Sequence, residues 1–404
     1  MAEFRRRCVL SIVRRAGRLC DSIFLTQGFR PFFLAAGLWS ALALTFWIVM
    51  LITGTAAPSR FAPLSWHSHE MLFGFVMAAI AGFLLTAVSN WTQRRPVSGG
   101  MLAMLVGLWL LGRIACLVSA FVPLWLAIAA DLSFPTALLA VVAHEIVAGR
   151  NWRNLPLLAP VAVLSIANLL MHLEASSMAA LAGLGWRLGL ATVIVLISVI
   201  GGRIVPSFTR NWLAKRGNVN LPTVPGSFDR IALGVLHAGL FGWVFFPALR
   251  AVGLLLLLGA VLNLWRLLRW RGAATAAEPL LLILHAGYAW LALGVALLGF
   301  ATLDAHLPLS AAIHALTAGA IGTMILAVMT RVARGHTGRD LSSDQRTKLI
   351  YILVTFAAIT RVTAALTADW TMPLLSASAC FWIGAFGLFT LSYGPMMLRP
   401  RALR

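Results

Sequence analysis

Hydrophobic residues form long continuous runs along this chain. Twelve runs are long enough to cross a bilayer as helices, and they begin near Pro31, His67, Gly100, Pro123, Leu155, Ala179, Phe228, Ala251, Pro279, Leu307, Lys348 and Met372. Strands of a membrane β-barrel would alternate in hydropathy over about ten residues, whereas these runs stay apolar for about twenty. The pattern predicts an all-α polytopic membrane protein, with a bundle of about twelve transmembrane helices over residues 31–397.

Basic residues occur mainly in alternate connections between these runs. They cluster in the N-terminal segment, after the even-numbered helices and in the basic tail at 398–404, while the other connections hold little beyond Arg60, Arg250 and Arg361. Positively charged loops mark the cytoplasmic side of a membrane protein. We therefore predict that the N- and C-termini are both cytoplasmic.

The composition agrees with a membrane protein. Of the 404 residues, 60% are hydrophobic and 11% are charged, against roughly 25% charged residues in a typical soluble domain. This excludes a soluble enzyme and a disordered chain, and it makes the lipid bilayer the first partner. The net charge of +20 follows from the loop pattern, so we expect no nucleic-acid partner.

Residues 1–30 precede the first run and are rich in arginine. The segment lacks the uncharged core of adequate length and the cleavage site that a signal peptide has. Apolar positions at Phe4, Cys8, Ile12, Leu19 and Ile23 favour a basic amphipathic helix on the inner leaflet. A solvated tail is the alternative.

Nine histidines are the most informative polar residues, because most lie at or within predicted helices. An ionisable group inside a membrane costs several kcal/mol, which makes each one a functional candidate. Few carboxylates accompany these histidines, whereas a proton-coupled transporter usually carries more. Imidazole suits iron and copper, so the pattern favours a haem or metal protein.

The positions of the histidines along the helices divide them into two groups. The outer half holds His67, His69, His172, His306 and His314, and the inner half holds His144, His237, His285 and His336. At 1.5 Å per residue, about 33 Å of helix separates His314 from His336, so the two cannot share a metal. We expect a primary metal site in the outer half.

We also expect a separate inner centre built by His336, together with His285. Helix capping is the alternative for His336, and an interhelical hydrogen bond is the alternative for His172 and His314. His237 is expected to pack between helices, and His306 to lie in a solvated loop. His144, beside Glu145, is expected to form an ion pair at the boundary.

The segment from Trp66 to Met71 is the densest polar constellation. On an α-helix, His67, Glu70 and Met71 share one face through their spacing of three and four residues. A histidine there can bind metal while the carboxylate orients its ring. Glu70 is our candidate catalytic carboxylate for proton relay, and an interfacial cluster is the alternative. Near the spans we considered Glu145 and Glu174 as the other possible relays.

Four arginines lie within or near the predicted spans: Arg113, Arg187, Arg203 and Arg331. Guanidinium groups bind carboxylates such as haem propionates in a bidentate manner, and we select Arg203 and Arg331 as cofactor-binding candidates. Snorkelling to the interface is the alternative, and it is favoured for Arg113 and Arg331. No haem-attachment motif appears, so any haem is expected to be non-covalent.

Several motifs, in order along the chain, resemble the NnrS family. They are GFRPFF at 28–33, HSHEMLFGF at 67–75, GFLLTAV at 82–88, NWT at 90–92, RNLP at 153–156, GGR at 201–203, FTRN at 208–211, LHAGYAW at 284–290, HALT at 314–317, GAIG at 319–322, GHTGR at 335–339 and YGP at 393–395. The resemblance covers about residues 28–400. Ser89 stands where the family pattern has proline, a departure that would alter only a kink.

The resemblance implies a twelve-helix bacterial inner-membrane protein that contains haem b and copper. It also implies a link to nitric oxide metabolism and protection against nitrosative stress. By resemblance the metal-binding histidines are His67, His69, His172, His285, His314 and His336.

Two functions remain open at this stage. The first is a haem-copper redox protein that binds and reduces nitric oxide, with electrons from a donor that the sequence does not identify. The second is a transporter or efflux carrier for a metal, haem or a nitrosylated metal complex. A third and weaker alternative is a nitric oxide sensor.

Overall fold

The long apolar runs fold into helices. A computed structural model describes residues 22–176, 178, 182–304 and 306–402, and within these ranges every regular element is helical. Twelve helices are long and apolar enough to cross a membrane. In chain order α1 to α12 are Phe29–Thr53, Pro63–Thr92, Gly99–Leu117, Leu124–Ala148, Trp152–Ala175, Leu184–Ala214, Ser227–Phe245, Arg250–Leu268, Pro279–Leu303, Leu309–His336, Gln345–Leu366 and Thr371–Leu398. The predicted fold class and number of spans are confirmed.

The outer surface of the bundle is apolar. On α8, for example, Leu254, Val261 and Leu268 are 61%, 63% and 64% exposed. In water such a surface would associate or aggregate, whereas in a bilayer it contacts lipid tails. The chain is therefore a multi-pass membrane protein.

Helices α2 and α10 lie at the centre of the bundle. In their most apolar windows 78% and 72% of the residues are buried, against 28% for α1. Each contains a π-helical segment, Glu70–Val76 in α2 and Ala315–Gly322 in α10, and α6 contains a third at Ile197–Gly201. Single π-helical turns inside α-helices are frequent at functional sites, so the central helices are the first place to search.

Two prolines inside helices leave backbone carbonyls without their usual donors. Pro135 in α4 lies four residues after Asp131, and Pro206 in α6 lies four residues after Gly202. Because proline has no N–H, the helical bond to each of these carbonyls is lost. The carbonyl of Gly202 accepts a hydrogen bond from Arg266 at 3.4 Å instead.

We call the end of the bundle where α2 and α10 begin the outer end, following the arginine pattern. The amphipathic helix predicted for the N-terminus lies almost wholly outside the described residues, which begin at Ser22 with a short 3₁₀ turn at Ile23–Leu25. The cytoplasmic location of the termini stays a prediction.

Candidate functional site

A cluster of charged side chains is buried between α2, α3, α4 and α5. It consists of His69, Glu70, Arg113, Asp131 and His172, none of them more than 3% exposed. We call these five residues the buried charge cluster. Because moving a charge from water into a protein interior costs several kcal/mol per ion, such groups persist only when they are well paired.

Arg113 pairs with both carboxylates of this cluster. One guanidinium nitrogen donates to Glu70 Oε1 at 2.8 Å, and the other donates to Asp131 Oδ1. The second oxygen of Asp131 lies 3.0 Å from Nε2 of His172. The arginine fork therefore holds two carboxylates from different helices in fixed positions.

Both ring nitrogens of His69 face oxygen acceptors. Nδ1 lies 3.2 Å from Glu70 Oε1, and Nε2 lies 3.1 Å from Asp131 Oδ2 and 2.9 Å from Asn168 Oδ1. A ring nitrogen that faces a carboxylate must carry a hydrogen to make a hydrogen bond. With both carboxylates ionised, hydrogen bonds from both ring nitrogens require His69 to be an imidazolium, and two cations then balance two carboxylates in the cluster.

Glycines make room for these contacts. A Cβ at Gly74 would come within 2.4 Å of Trp39 Nε1, which donates to Glu70 Oε2 at 2.9 Å. A Cβ at Gly112 would come within 2.7 Å of Asp131 Oδ1. Both glycines are needed for close approach, since a larger residue would displace a hydrogen-bonding partner of the cluster.

Next to the cluster, at the outer end, lies an apolar cavity of about 780 Å³. It is lined by His67 and His314 together with Arg60, Arg361, Glu174 and a set of apolar residues that includes Trp47, Met71, Phe75, Trp186, Ile321 and Trp382. We call it the outer cavity. Its size and apolar lining are those of a small-molecule or cofactor site.

The ring nitrogens of the two histidines in the outer cavity are suited to metal ligation. Nδ1 of His314 lies 2.7 Å from the carbonyl oxygen of Ser310, and since a carbonyl can only accept, Nδ1 must donate. This leaves the lone pair on Nε2 for a metal. Nδ1 of His67 is buried and has no hydrogen-bond partner among the described residues, and the His67 ring stacks on Trp47 at 5.0 Å.

A second cavity, of about 920 Å³, lies at the opposite end of the bundle. His336 lines it together with Arg30, Arg331 and Arg401, and Arg331 stacks over Phe208 at 4.2 Å. We call it the inner cavity. Its described lining contains three arginines and no carboxylate, so it suits an anionic or amphipathic ligand.

His285 does not share the inner cavity with His336. Its Nε2 lies 2.9 Å from the hydroxyl of Thr209, and its ring packs against Gly272. His336 instead lies beside Phe29, with ring centroids 5.5 Å apart. The shared inner centre predicted for the two histidines has no direct contact to support it.

Other predicted residues lie apart from both cavities. Arg203 is exposed on α6, and Arg187 donates to the carbonyl of Val244 at 3.1 Å. His237 bonds to Ser198 at 2.8 Å, which agrees with the interhelical packing predicted for it, and His306 is exposed. Among the described residues the ion pair predicted for His144 does not form, and its neighbour Glu145 binds Arg94 at 2.7 Å instead.

The expectation that Arg113 snorkels to the interface is wrong, because it is buried and pairs with Glu70 and Asp131. Glu70 also does not share a face with His67. Its carboxylate lies beside His69, at the start of the π-helical segment, while His67 lines the outer cavity. Four of the five histidines predicted in the outer half thus occupy two neighbouring environments, His67 and His314 in the outer cavity and His69 and His172 in the charge cluster.

Sequence reasoning missed Asp131. The predicted carboxylates near the spans were Glu70, Glu145 and Glu174, although Asp131 stands inside the fourth apolar run. A lone acid in a long apolar run signals either a partner or a function, and this signal was available. Asn168 and Cys116 gave no comparable signal, because neutral side chains are common inside membrane helices.

A further polar network, between α6, α7, α8 and α9, also escaped the sequence analysis. Arg266 donates to Asp229 Oδ1 at 2.9 Å and to the hydroxyl of Tyr288 at 2.7 Å. That hydroxyl donates to Asn263 Oδ1 at 2.8 Å. Arg266 follows the eighth apolar run, where the sequence pattern predicts a loop, yet it is 3% exposed. We assign this network to holding the four helices together.

The fold and these sites define a polytopic α-helical membrane protein with two cavities and a buried charge cluster. The sequence model of the NnrS family, described as NnrS protein, matches residues 23–401. The chain belongs to the NnrS family, and at the level of the family this membership links it to nitric oxide. A search of curated proteins finds no match.

Proposed function

We propose that this protein is a haem-copper protein of the bacterial inner membrane that binds and reduces nitric oxide, and thereby protects against nitrosative stress. The observation that supports this best is the pair of histidines in the outer cavity. His314 keeps a lone pair on Nε2, and His67 has a buried nitrogen without a partner. A buried polar atom with no partner is consistent with an absent ligand.

The outer cavity also fits the rest of a haem. Its volume of about 780 Å³ lies within the usual range for cofactor sites, and Trp47, Trp186 and Phe75 supply flat apolar walls. Arg60 and Arg361 line the same cavity and can neutralise propionates. In this proposal His67 and His314 hold haem b non-covalently.

We propose the inner cavity as a second cofactor site. His336 supplies the imidazole there, and Arg331 lies close enough to Phe208 to be held in place. His285 and Arg203 remain predictions from the sequence without a position on this cavity. The number of haems in this proposal is the number of the two cavities that hold one.

Nitric oxide is small and apolar, so it can reach the outer cavity through the lipid phase. Haem, when bound, would supply an iron that can bind nitric oxide and can pass an electron to it. The mostly apolar walls of the cavity suit this apolar ligand, and Arg60 and Arg361 neutralise negative charge. Reduction of two nitric oxide molecules to nitrous oxide and water also takes two electrons, from a donor still to be identified, and two protons.

Glu70 is placed to position a proton-carrying group. Among the described residues its carboxylate forms hydrogen bonds with Arg113, Trp39 and His69, and it is not part of the lining of the outer cavity. We therefore propose that it acts through His69, and its role as a direct proton relay stays a prediction.

The experiment is an absorption spectrum of the detergent-purified full-length protein with iron and copper analysis, followed by addition of nitric oxide to the reduced form. We expect reduced-minus-oxidised haem bands that shift with nitric oxide. His314→Ala should remove at least one haem signal while the chain still inserts, and the matched control His306→Ala should keep the full spectrum.

Full haem with unchanged spectra in His314→Ala would show that the outer assignment is wrong. A wild-type protein without any haem band would overturn the redox proposal and favour transport. Consumption of nitric oxide by the reduced protein, measured with an electrode, separates turnover from binding alone.

A further inference from the structure

The buried charge cluster carries the donor atoms of a metal site separate from the outer cavity. We propose that His69, Cys116, Asp131 and His172 bind one copper ion. One donor atom from each of these four buried residues lies within 4.8 Å of the other three. The choice of copper rests on the proposed function, whereas the site itself rests on this geometry.

Three of the donors already converge on one point. Nε2 of His69 and Nε2 of His172 lie 3.1 Å and 3.0 Å from the same oxygen of Asp131. The two rings are 5.3 Å apart and inclined at 75°, so they approach this oxygen from different directions. Small movements of the side chains would let all three face a single ion.

The donor set selects a transition metal. Two imidazoles, a thiolate and a carboxylate suit copper or zinc, whereas magnesium and calcium prefer oxygen ligands alone. Cys116 is fully buried on α3, which keeps its thiol away from oxidants.

The residues next to these four donors orient them through hydrogen bonds, as the outer hydrogen-bond partners of metal ligands do in known metal sites. Glu70 accepts from Nδ1 of His69 and would keep that nitrogen protonated, which leaves Nε2 for the metal. Arg113 and Trp39 in turn hold Glu70 at 2.8 Å and 2.9 Å. Glu70 would thus orient His69 toward the metal, and Arg113 and Trp39 would hold Glu70 in place.

The charges of the cluster also permit a cation. In the described state Arg113 and the His69 imidazolium balance Glu70 and Asp131. A divalent ion that replaces one proton of His69 and the proton of Cys116 leaves the net charge unchanged, so no uncompensated charge is buried. Metal loading needs no new counterion in the apolar interior.

The test measures copper and haem separately in purified full-length protein, by mass spectrometry and by the haem spectrum. We expect one copper per chain, and we expect Cys116→Ser to lose it while the haem spectrum stays unchanged. The matched control is Cys380→Ser, since Cys380 is exposed on α12. X-ray absorption at the copper edge should show a sulfur neighbour, and that neighbour should vanish in Cys116→Ser.

His172→Gln and His237→Gln form a second pair, in which only the first variant should lose copper. Glu70→Gln should keep the site but weaken copper binding about 10–100-fold. Each variant is first checked by size-exclusion profile, so that misfolded protein is not scored.

Full copper in both Cys116→Ser and His172→Gln would overturn the site, as would wild-type protein that takes up no copper from a copper(II) solution. One zinc per chain in place of copper would overturn the choice of metal. Haem is measured independently of copper. Wild-type protein that binds copper but shows no haem band would therefore count against the proposed function alone.

Discussion

At the scale of single residues, Arg113 decides how the charge cluster is held together. Its guanidinium is 3% exposed and donates to carboxylates on α2 and α4. Lysine could not replace it well, because a planar fork with several donors matches two carboxylates at once. The stability of this part of the bundle therefore depends on one side chain.

Arg113→Gln should destabilise the protein strongly. Removing one partner from a buried ion pair leaves uncompensated charge and typically costs about 3–5 kcal/mol. The measurement is the thermal unfolding midpoint in detergent, compared with Arg94→Gln. Arg94 forms a pair with Glu145 near the surface, and such pairs are worth about 0.2–1 kcal/mol. Equal midpoints for the two variants would contradict the assigned role.

At the scale of elements, the π-helical segment of α2 links the charge cluster to its neighbours. The carbonyl of Gly74, inside this segment, accepts from Trp109 Nε1 at 3.0 Å. The indole of Trp39 packs directly against Gly74 and donates to Glu70. Local helix geometry and the absence of a side chain at Gly74 thus act together.

Gly74→Ala should displace Trp39 and break its hydrogen bond to Glu70. Forcing an extra methyl group into a packed site costs about 1–3 kcal/mol, which should lower the unfolding midpoint. The control is Gly107→Ala on α3, where a new Cβ meets nothing within 4 Å, and its midpoint should be unchanged or slightly higher. If Gly74→Ala proves as stable as the control, the packing argument fails.

At the scale of the whole molecule, the candidate sites are spread across the bundle. The outer cavity and the charge cluster adjoin each other at the outer end, while the inner cavity lies at the opposite end. About 33 Å of helix separates His314 from His336, so a cofactor in each cavity would serve a different side of the membrane.

The orientation of the bundle is tested by a reporter that is active only in the periplasm. Fused after Arg404, it should be silent, because the arginine pattern places the C-terminus in the cytoplasm. The same reporter inserted in the connection that contains Arg60, between α1 and α2, should be active. Activity after Arg404 would overturn the predicted orientation.

The amino-acid sequence by itself determined the class of this protein and the number of its spans. Continuous apolar runs can only fold as helices in a bilayer, where every backbone polar group must be satisfied within its own segment, and twelve helices duly form. The histidine-rich start of α2 also identified the right region, since imidazoles and acids are rare and costly there. These features depend on local composition, which a sequence states directly.

Only the tertiary structure decided which of these residues act together. His67 and His69 are two positions apart, yet one lines the outer cavity and the other lies in the charge cluster. Asp131, Cys116 and Asn168 come to His69 from three other helices. Contacts between helices depend on how each helix is rotated and kinked against its neighbours, and long-range packing sets that rotation, which no local pattern encodes.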